Sequence, residues 1–152
     1  MIDWPVAELV PHAADMILID QVLAFDDETI QTRLTVRANG PFNRPDGSLP
    51  AWIGIELMAQ SVAAFAGCQA RLRGEPVQLG FLLGTRKYEC NVEHFPLGSE
   101  LTIHALRSLQ DDSGMGVFEC TLSGPDIEVF ARLNVYCPPN AADYLAEGAV
   151  ND

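Results

Sequence analysis

Apolar or small side chains fill almost every position between Ala51 and Ala66, inside a stretch that runs from Ser48 to Gly74 (SLPAWIGIELMAQSVAAFAGCQARLRG). Ser48 is a good N-cap type, and Pro50 suits a first helical turn, where a missing N–H leaves no orphan. Arg71 and Arg73 crowd the last turn, where cations complement the dipole, and Gly74 is a natural stop. A helix that is apolar all round is a buried one. The pattern therefore predicts one long core helix, a rod of roughly 35 Å at ~1.5 Å per residue. A charge near its centre and amphipathic segments on both sides argue against a membrane span.

Before that helix, residues 3–12 read as a short helical turn entering a Pro-His loop, residues 16–25 are an apolar run, and residues 26–28 form an acidic turn. Residues 29–37 alternate, with Ile30, Leu34 and Val36 on one side and Gln31, Arg33, Thr35 and Arg37 on the other. A period of two is that of a half-buried strand. Residues 39–50 hold three prolines and two glycines and read as an irregular loop. Four strand candidates follow the helix, at residues 77–92, 99–110, 115–124 and 126–138, with a DDSG hairpin turn at 111–114. Gly80 and Gly84 mark bulges or close backbone approach in the first of them.

Strand, strand, long buried helix and four more strands is an α+β order, and only a sheet wrapped around the helix buries it on most sides. It is the pattern of a hotdog fold, an antiparallel sheet around one central helix, whose edge strands commonly pair across a dimer axis. A single such domain is expected over residues 3–138, with an acidic tail at 139–152.

Two polar side chains interrupt the apolar cylinder, Glu56 and Gln60, four apart and so on one face. Either they edge a solvated stripe, or Glu56 is a carboxyl group in an apolar cleft that holds its proton near neutrality.

The formal net charge of −12 argues against nucleic acid or an anionic membrane as partner. An acidic carrier protein would need a local basic patch, for which Arg71, Arg73, Arg86 and Lys87 are the candidates. Cys68, Cys90, Cys120 and Cys137 are scattered without a C-x-x-C, which favours buried free thiols over a metal site or disulfide framework. The N-terminus lacks a basic region and an uninterrupted apolar core, so no secretory signal is read and a cytoplasmic location is expected.

From Val10 to Pro138 the chain resembles the bacterial β-hydroxyacyl-acyl-carrier-protein dehydratases. VPHAADMILIDQVL is similar to the family's L-P-H-x-x-P-x-L-L-V-D-R-V opening. Pro50 followed by IELMAQ (55–60) resembles its P-G-V…E-A-L-A-Q segment, which places Glu56 on the catalytic carboxylate. KYECNVEHFPLGSELTI resembles its strand-turn-strand F-R-x-P-V-x-P-G-D-x-L. PAWIGIELMAQ, GFLLGTRKYEC and the LQDD turn resemble the dehydratase-like proteins of aryl polyene gene clusters more closely still. One departure is specific: the family's catalytic histidine, in an H-F-P-G loop ahead of the helix, corresponds here to Phe42, beside Asn43. The His94–Phe95–Pro96 triplet falls after the helix and reads as an ordinary exposed turn, and His104, alternating with Ile103 and Ala105, reads as either solvated or part of a sheet face. His12 matches the opening P-H, and the resemblance implies that Pro11 and His12 line the acyl tunnel. His12 then either supplies the base that the loop lacks or braces the loop.

The resemblance implies dehydration of a β-hydroxyacyl thioester carried by an acyl carrier protein or coenzyme A, in fatty acid or aryl polyene type biosynthesis. Such chemistry needs a base for the α-proton, an acid for the departing hydroxyl and donors for the enolate oxygen. Glu56 is then the acid, Gln60 its orienting group and His12 the candidate base, with backbone N–H groups around Ala51 and Trp52 as oxyanion donors. Phe42, Trp52 and the strand at Gly80, Phe81 and Gly84 would line the acyl channel. No metal or other cofactor is called for. Two further functions stay open on the same residues: an acyl-thioester hydrolase, and a non-catalytic subunit that completes a partner's site. The oligomer expected is a homodimer or a hetero-oligomer with a related dehydratase subunit.

Overall fold

In a computed structural model, which describes residues 4–12, 16–77 and 80–137, one long helix lies against the inner face of a six-stranded antiparallel sheet. A 3-10 turn, Val6–Glu8, is the first element among the described residues. The strands are β1 (Gln21–Phe25), β2 (Thr29–Thr35), the short β3 (Leu49–Pro50), then after helix α1 (Ile53–Leu72), β4 (Phe81–Cys90), the short β5 (His94–Phe95), β6 (Glu100–Gln110), β7 (Met115–Gly124) and β8 (Ile127–Tyr136). The main sheet runs β1-β2-β6-β7-β8-β4, and β3 pairs with β5. This is the hotdog arrangement that the order of elements predicts. The acidic tail at 139–152 lies outside the described residues.

The alternation along the strands decides which way each faces. Ile103 and Ala105 of β6, Phe118, Cys120 and Leu122 of β7, and Val129, Ala131 and Leu133 of β8 are buried on the helix side. Against them α1 packs Ile53, Leu57, Met58, Phe65 and Cys68. Each fully buried Leu, Ile or Phe contributes about 1.5–3 kcal/mol of burial, so this face dominates the stability. The apolar all-round pattern of the helix has a second cause. The N-terminal segment crosses its other side so closely that a Cβ built on Gly67 would lie 1.9 Å from the Leu9 carbonyl oxygen. The polar Ser61 is accommodated by bonding to Thr32 Oγ1 (2.8 Å) and to the Leu57 carbonyl (2.9 Å).

Both ends of the helix differ from or refine the sequence expectation. At the C-terminus, Gly74 adopts φ 70°, with Gly74 N–H donating to Arg71 O (3.1 Å) and Glu75 N–H to Ala70 O (2.9 Å). That is a Schellman stop, as the glycine predicts. The N-terminus is a correction. Ser48 does not cap the helix, because its hydroxyl donates to Asp46 Oδ1 (2.6 Å), and Pro50 lies in β3 opposite His94. The helix begins five residues later than Ser48, at Ile53, with Trp52 as an N-cap that offers no side-chain hydrogen bond.

Candidate active site

Glu56 sits in the first turn of α1, and one turn further Gln60 is buried to 0% exposure. A primary amide at that depth must find partners for both its ends. Gln60 Oε1 accepts the Leu18 N–H (2.8 Å), while Nε2 donates to Met16 O (2.7 Å) and to Glu56 Oε1 (3.0 Å). The amide therefore ties the segment preceding β1 to the helix and fixes the Glu56 carboxylate at the same time. From the N-terminal segment His12 places its Nε2 3.5 Å from Glu56 Oε1. The two side chains are 27% and 36% exposed, so the pair is half-buried and open on one side. His12 Nδ1 is buried and has no hydrogen-bond partner among the described residues.

Pro11, His12 and Glu56 line a cavity of about 770 Å³. Its wall follows α1 through Ala59, Ala63 and Ala66 to Gln69 and Arg73, and is completed by Leu82, Gly116, Phe118 and Val135 from the sheet. From Glu56 to Arg73 the helix rises ~25 Å, so the groove is long and narrow rather than round. Its middle is apolar, with Phe65 and Phe118 edge to face at 5.6 Å and the Arg107 guanidinium 5.2 Å above the Phe65 ring. Its far rim is polar, but those groups are held by the chain itself: Arg73 pairs with Glu75 (3.1 Å), and Gln69 Nε2 donates to Asp26 O (2.8 Å).

The remaining sequence candidates are distributed unevenly around this groove. Gly80 lines it, and Gly84 does not. Phe81 pairs through its backbone with Tyr136, and its side chain lies outside what the structure describes. Phe42 and Trp52 stack edge to face at 6.2 Å away from the groove, with Trp52 59% exposed. The Ala51 N–H, expected to face a substrate oxygen, instead donates to Glu93 O (3.1 Å), and the Tyr88 hydroxyl donates to the Ala51 carbonyl. Burial raises the Tyr88 phenol well above its ordinary value, which keeps it a donor there. His94 and His104 are exposed, far along the sequence from the helix carboxylate.

Leu82, Gln69 and Arg107 border the groove without having been singled out. Leu82 carried a signal, since it lies between Gly80 and Gly84, whereas Arg107 is placed by pairing of β6 with β2 and had none. Burial pushes the Cys68 thiol up to about 11 and the Cys120 thiol up to about 12, so both are inert. Among the described residues no three His, Cys, Asp or Glu side chains converge as a metal site would require, and no helix is long and apolar enough to cross a membrane.

The model of the ApeP-like family, described as ApeP dehydratase, matches residues 4–146. Among solved structures, a chain of the dehydratase heterocomplex ApeI:P from Xenorhabdus doucetiae is 37% identical, with a TM-score of 0.84 over 94% of this chain and 97% of that one. The PaaI protein of the Escherichia coli phenylacetic acid degradation operon is 14% identical, with a TM-score of 0.58 over 76% of this chain and 80% of that one. A thioesterase-type protein from Streptococcus pneumoniae, solved with coenzyme A, is 13% identical, with a TM-score of 0.58 over 77% and 86%. The last two likenesses are of fold alone. No curated protein sequence matches the chain.

Proposed function

The chain belongs to the ApeP-like family of dehydratases, and from that premise we propose that it takes part in the dehydration of a β-hydroxyacyl thioester, with Glu56 and His12 as the proton-handling pair. The observation that carries this reading is the 3.5 Å approach of His12 Nε2 to Glu56 Oε1 at one end of a groove long enough for an acyl chain. His12 acts as the base that takes the α-proton at Nε2, and Glu56 as the acid that gives a proton to the β-hydroxyl. The Cα–H and Cβ–O bonds break, the Cα–Cβ double bond forms, and the hydroxyl leaves as water. The imidazolium then gives its proton to solvent and the carboxylate takes one from solvent, through the half-exposed side of the pair, which restores both groups. Gln60 Nε2 holds the carboxylate at Oε1 and leaves its other oxygen for the substrate.

The thioester oxygen needs donors that this chain does not offer at Ala51, since that N–H is committed to Glu93 O. We infer that a related dehydratase subunit completes the site, supported by the likeness to a chain of a heterocomplex. The acyl group is carried as an acyl-carrier-protein or coenzyme A thioester, in an aryl polyene or fatty acid type of chain extension. The test is an assay of a 3-hydroxyacyl thioester with the purified chain, alone and mixed with the related subunit. Appearance of the 2-enoyl thioester supports the reading. Release of free thiol would make the chain a hydrolase instead, and enoyl formation by the partner alone would overturn a role for Glu56.

A further inference from the structure

The N-terminal segment crosses α1 as a strap, and its contacts step along the helix. Trp4 and Glu8 meet Arg71 in the last turn, the Leu9 carbonyl lies against Gly67, and His12 reaches Glu56 in the first turn. Glu56 and Arg71 stand at opposite ends of the helix, roughly 22 Å apart at ~1.5 Å per residue. Beyond His12 the chain is held again, at Met16 and Leu18, by Gln60. His12 therefore hangs between two sets of contacts with the same helix.

The His12 ring has little of its own to aim it. Nδ1 is buried without a partner among the described residues, and Nε2 is the atom offered to Glu56. Its direction then depends on where the backbone beneath it lies along the helix. Val6, Leu9 and Val10 are buried, but apolar burial is non-directional: it holds a segment down without fixing its position along the surface it covers. Upstream of His12, the directional side-chain contacts from the strap to α1 among the described residues converge on Arg71. Its guanidinium lies 4.6 Å over the Trp4 ring, and Nη1 approaches Glu8 Oε2 at 3.7 Å. The Trp4 ring is itself seated against Phe25 at the end of β1, with centroids 5.7 Å apart. A largely exposed ion pair is weak, so the cation over the indole, the best of the aromatic faces for this purpose, is the stronger half of the clamp.

We propose that Arg71 is a positioning residue for the dehydration: by clamping Trp4 and Glu8 it sets the register of the strap along α1, and with it the height at which His12 meets Glu56. The proposal rests on the dehydratase reading for what His12 does, and on the contacts alone for where His12 is held. Gln60 fixes the chain after His12, and Arg71 fixes the chain before it. Without the upstream clamp the strap can slide, and the 3.5 Å approach of His12 Nε2 to Glu56 opens. A misplacement of about 1 Å can cost up to roughly a hundred-fold in rate. The loss falls on kcat, because Trp4, Glu8 and Arg71 lie outside the groove that receives the acyl chain.

The experiment uses full-length protein, together with its related subunit if the two co-purify, well below the unfolding temperature. It reads the rate at which diethyl pyrocarbonate modifies each histidine, resolved by peptide mass spectrometry, and the turnover of a 3-hydroxyacyl thioester. His94 and His104 are exposed and serve as internal references. In Arg71→Ala, modification of His12 relative to those references is expected to rise about three-fold or more, and kcat to fall about three- to ten-fold with KM within about two-fold. Trp4→Ala reproduces both changes, and the double variant stays within about two-fold of either single one, since both remove the same contact. Arg71→Lys keeps a cation over the ring and returns both readouts to within about two-fold of the parent. Arg132→Ala removes an ion pair of similar exposure, with Glu119 on the sheet (3.0 Å), and moves neither readout. An unchanged relative rate at His12 in Arg71→Ala overturns the proposal, and so does an equal change in Arg132→Ala. Faster modification of His12 with unchanged turnover supports the clamp and overturns the part of His12 in the dehydratase reading instead.

Discussion

Gln60 Nε2 donates to Glu56 Oε1 at 3.0 Å, and the same amide holds the backbone at Met16 and Leu18. One side chain is therefore both a structural tie and the support of the carboxylate. Replacing it separates the two roles. Gln60→Leu keeps the volume but leaves the Leu18 N–H and Met16 carbonyl without partners, which costs roughly 2–4 kcal/mol in all. For a chain of this size each kcal/mol lowers Tm by roughly 2–4 °C, so thermal unfolding is expected to shift down by about 10 °C. A shift below about 2 °C would mean that water takes over both bonds and that the tie matters little.

Glu56→Gln and His12→Ala address the chemistry itself. Both side chains are half-buried and neither is part of the packed core, so folding is expected to survive each change. Enoyl formation is expected to fall by roughly a hundred- to ten-thousand-fold in either variant, with little change in KM. Full activity of His12→Ala would assign the base to another group, most directly one from the second subunit.

The long helix and its two polar interruptions were legible because burial imposes a pattern: a cylinder apolar on all sides admits Glu56 and Gln60 only where something answers them. The strand order was legible through alternation on β2 and β8. What the sequence hid were pairings between distant segments. Ser48 is a good cap by type, yet two residues of β3 pairing with β5 carry the chain past it before the helix starts. The Ala51 N–H reads as an orphan of the helix start, yet Glu93, more than forty positions away, accepts it. Trp52 is apolar and adjacent to the helix, but its contact with Phe42 keeps it outside the groove. Gln60 was readable as a partner of Glu56 by spacing, whereas its bonds to Met16 and Leu18 were not.

Gly67 offers a cleaner test of how the strap crosses the helix. In an exposed helix, Gly→Ala gains up to about 1 kcal/mol. Here the added carbon would sit 1.9 Å from the Leu9 carbonyl oxygen, a backbone atom that cannot swing aside. The clash outweighs the propensity, and Gly67→Ala is expected to destabilise by about 1–3 kcal/mol in denaturant unfolding. Gly84→Ala is the control, since a Cβ there meets nothing within 4 Å, and it is expected to stay within about 0.5 kcal/mol of the parent. Equal behaviour of the two variants would show that the N-terminal strap lifts off the helix in solution.

The buried thiols set an alkaline limit on stability. Burial raises Cys68 from 9.0 to about 11 and Cys120 from 9.0 to about 12, and raises the Tyr88 phenol as well. A raised folded-state value means that the native state binds the proton more tightly than the unfolded chain does. The contribution is therefore complete below pH 9 and disappears as pH climbs through about 11 and then about 12. The denaturant midpoint is expected to fall between about pH 8 and about pH 10, in the direction opposite to an acid-labile carboxylate network. Cys120→Ala removes one of these protons, so its midpoint is expected to be lower than the parent's at the lower pH and to fall less on going to the higher one. A variant whose midpoint falls as steeply as the parent's would place the alkaline sensitivity in Cys68 and Tyr88 rather than in the centre of β7.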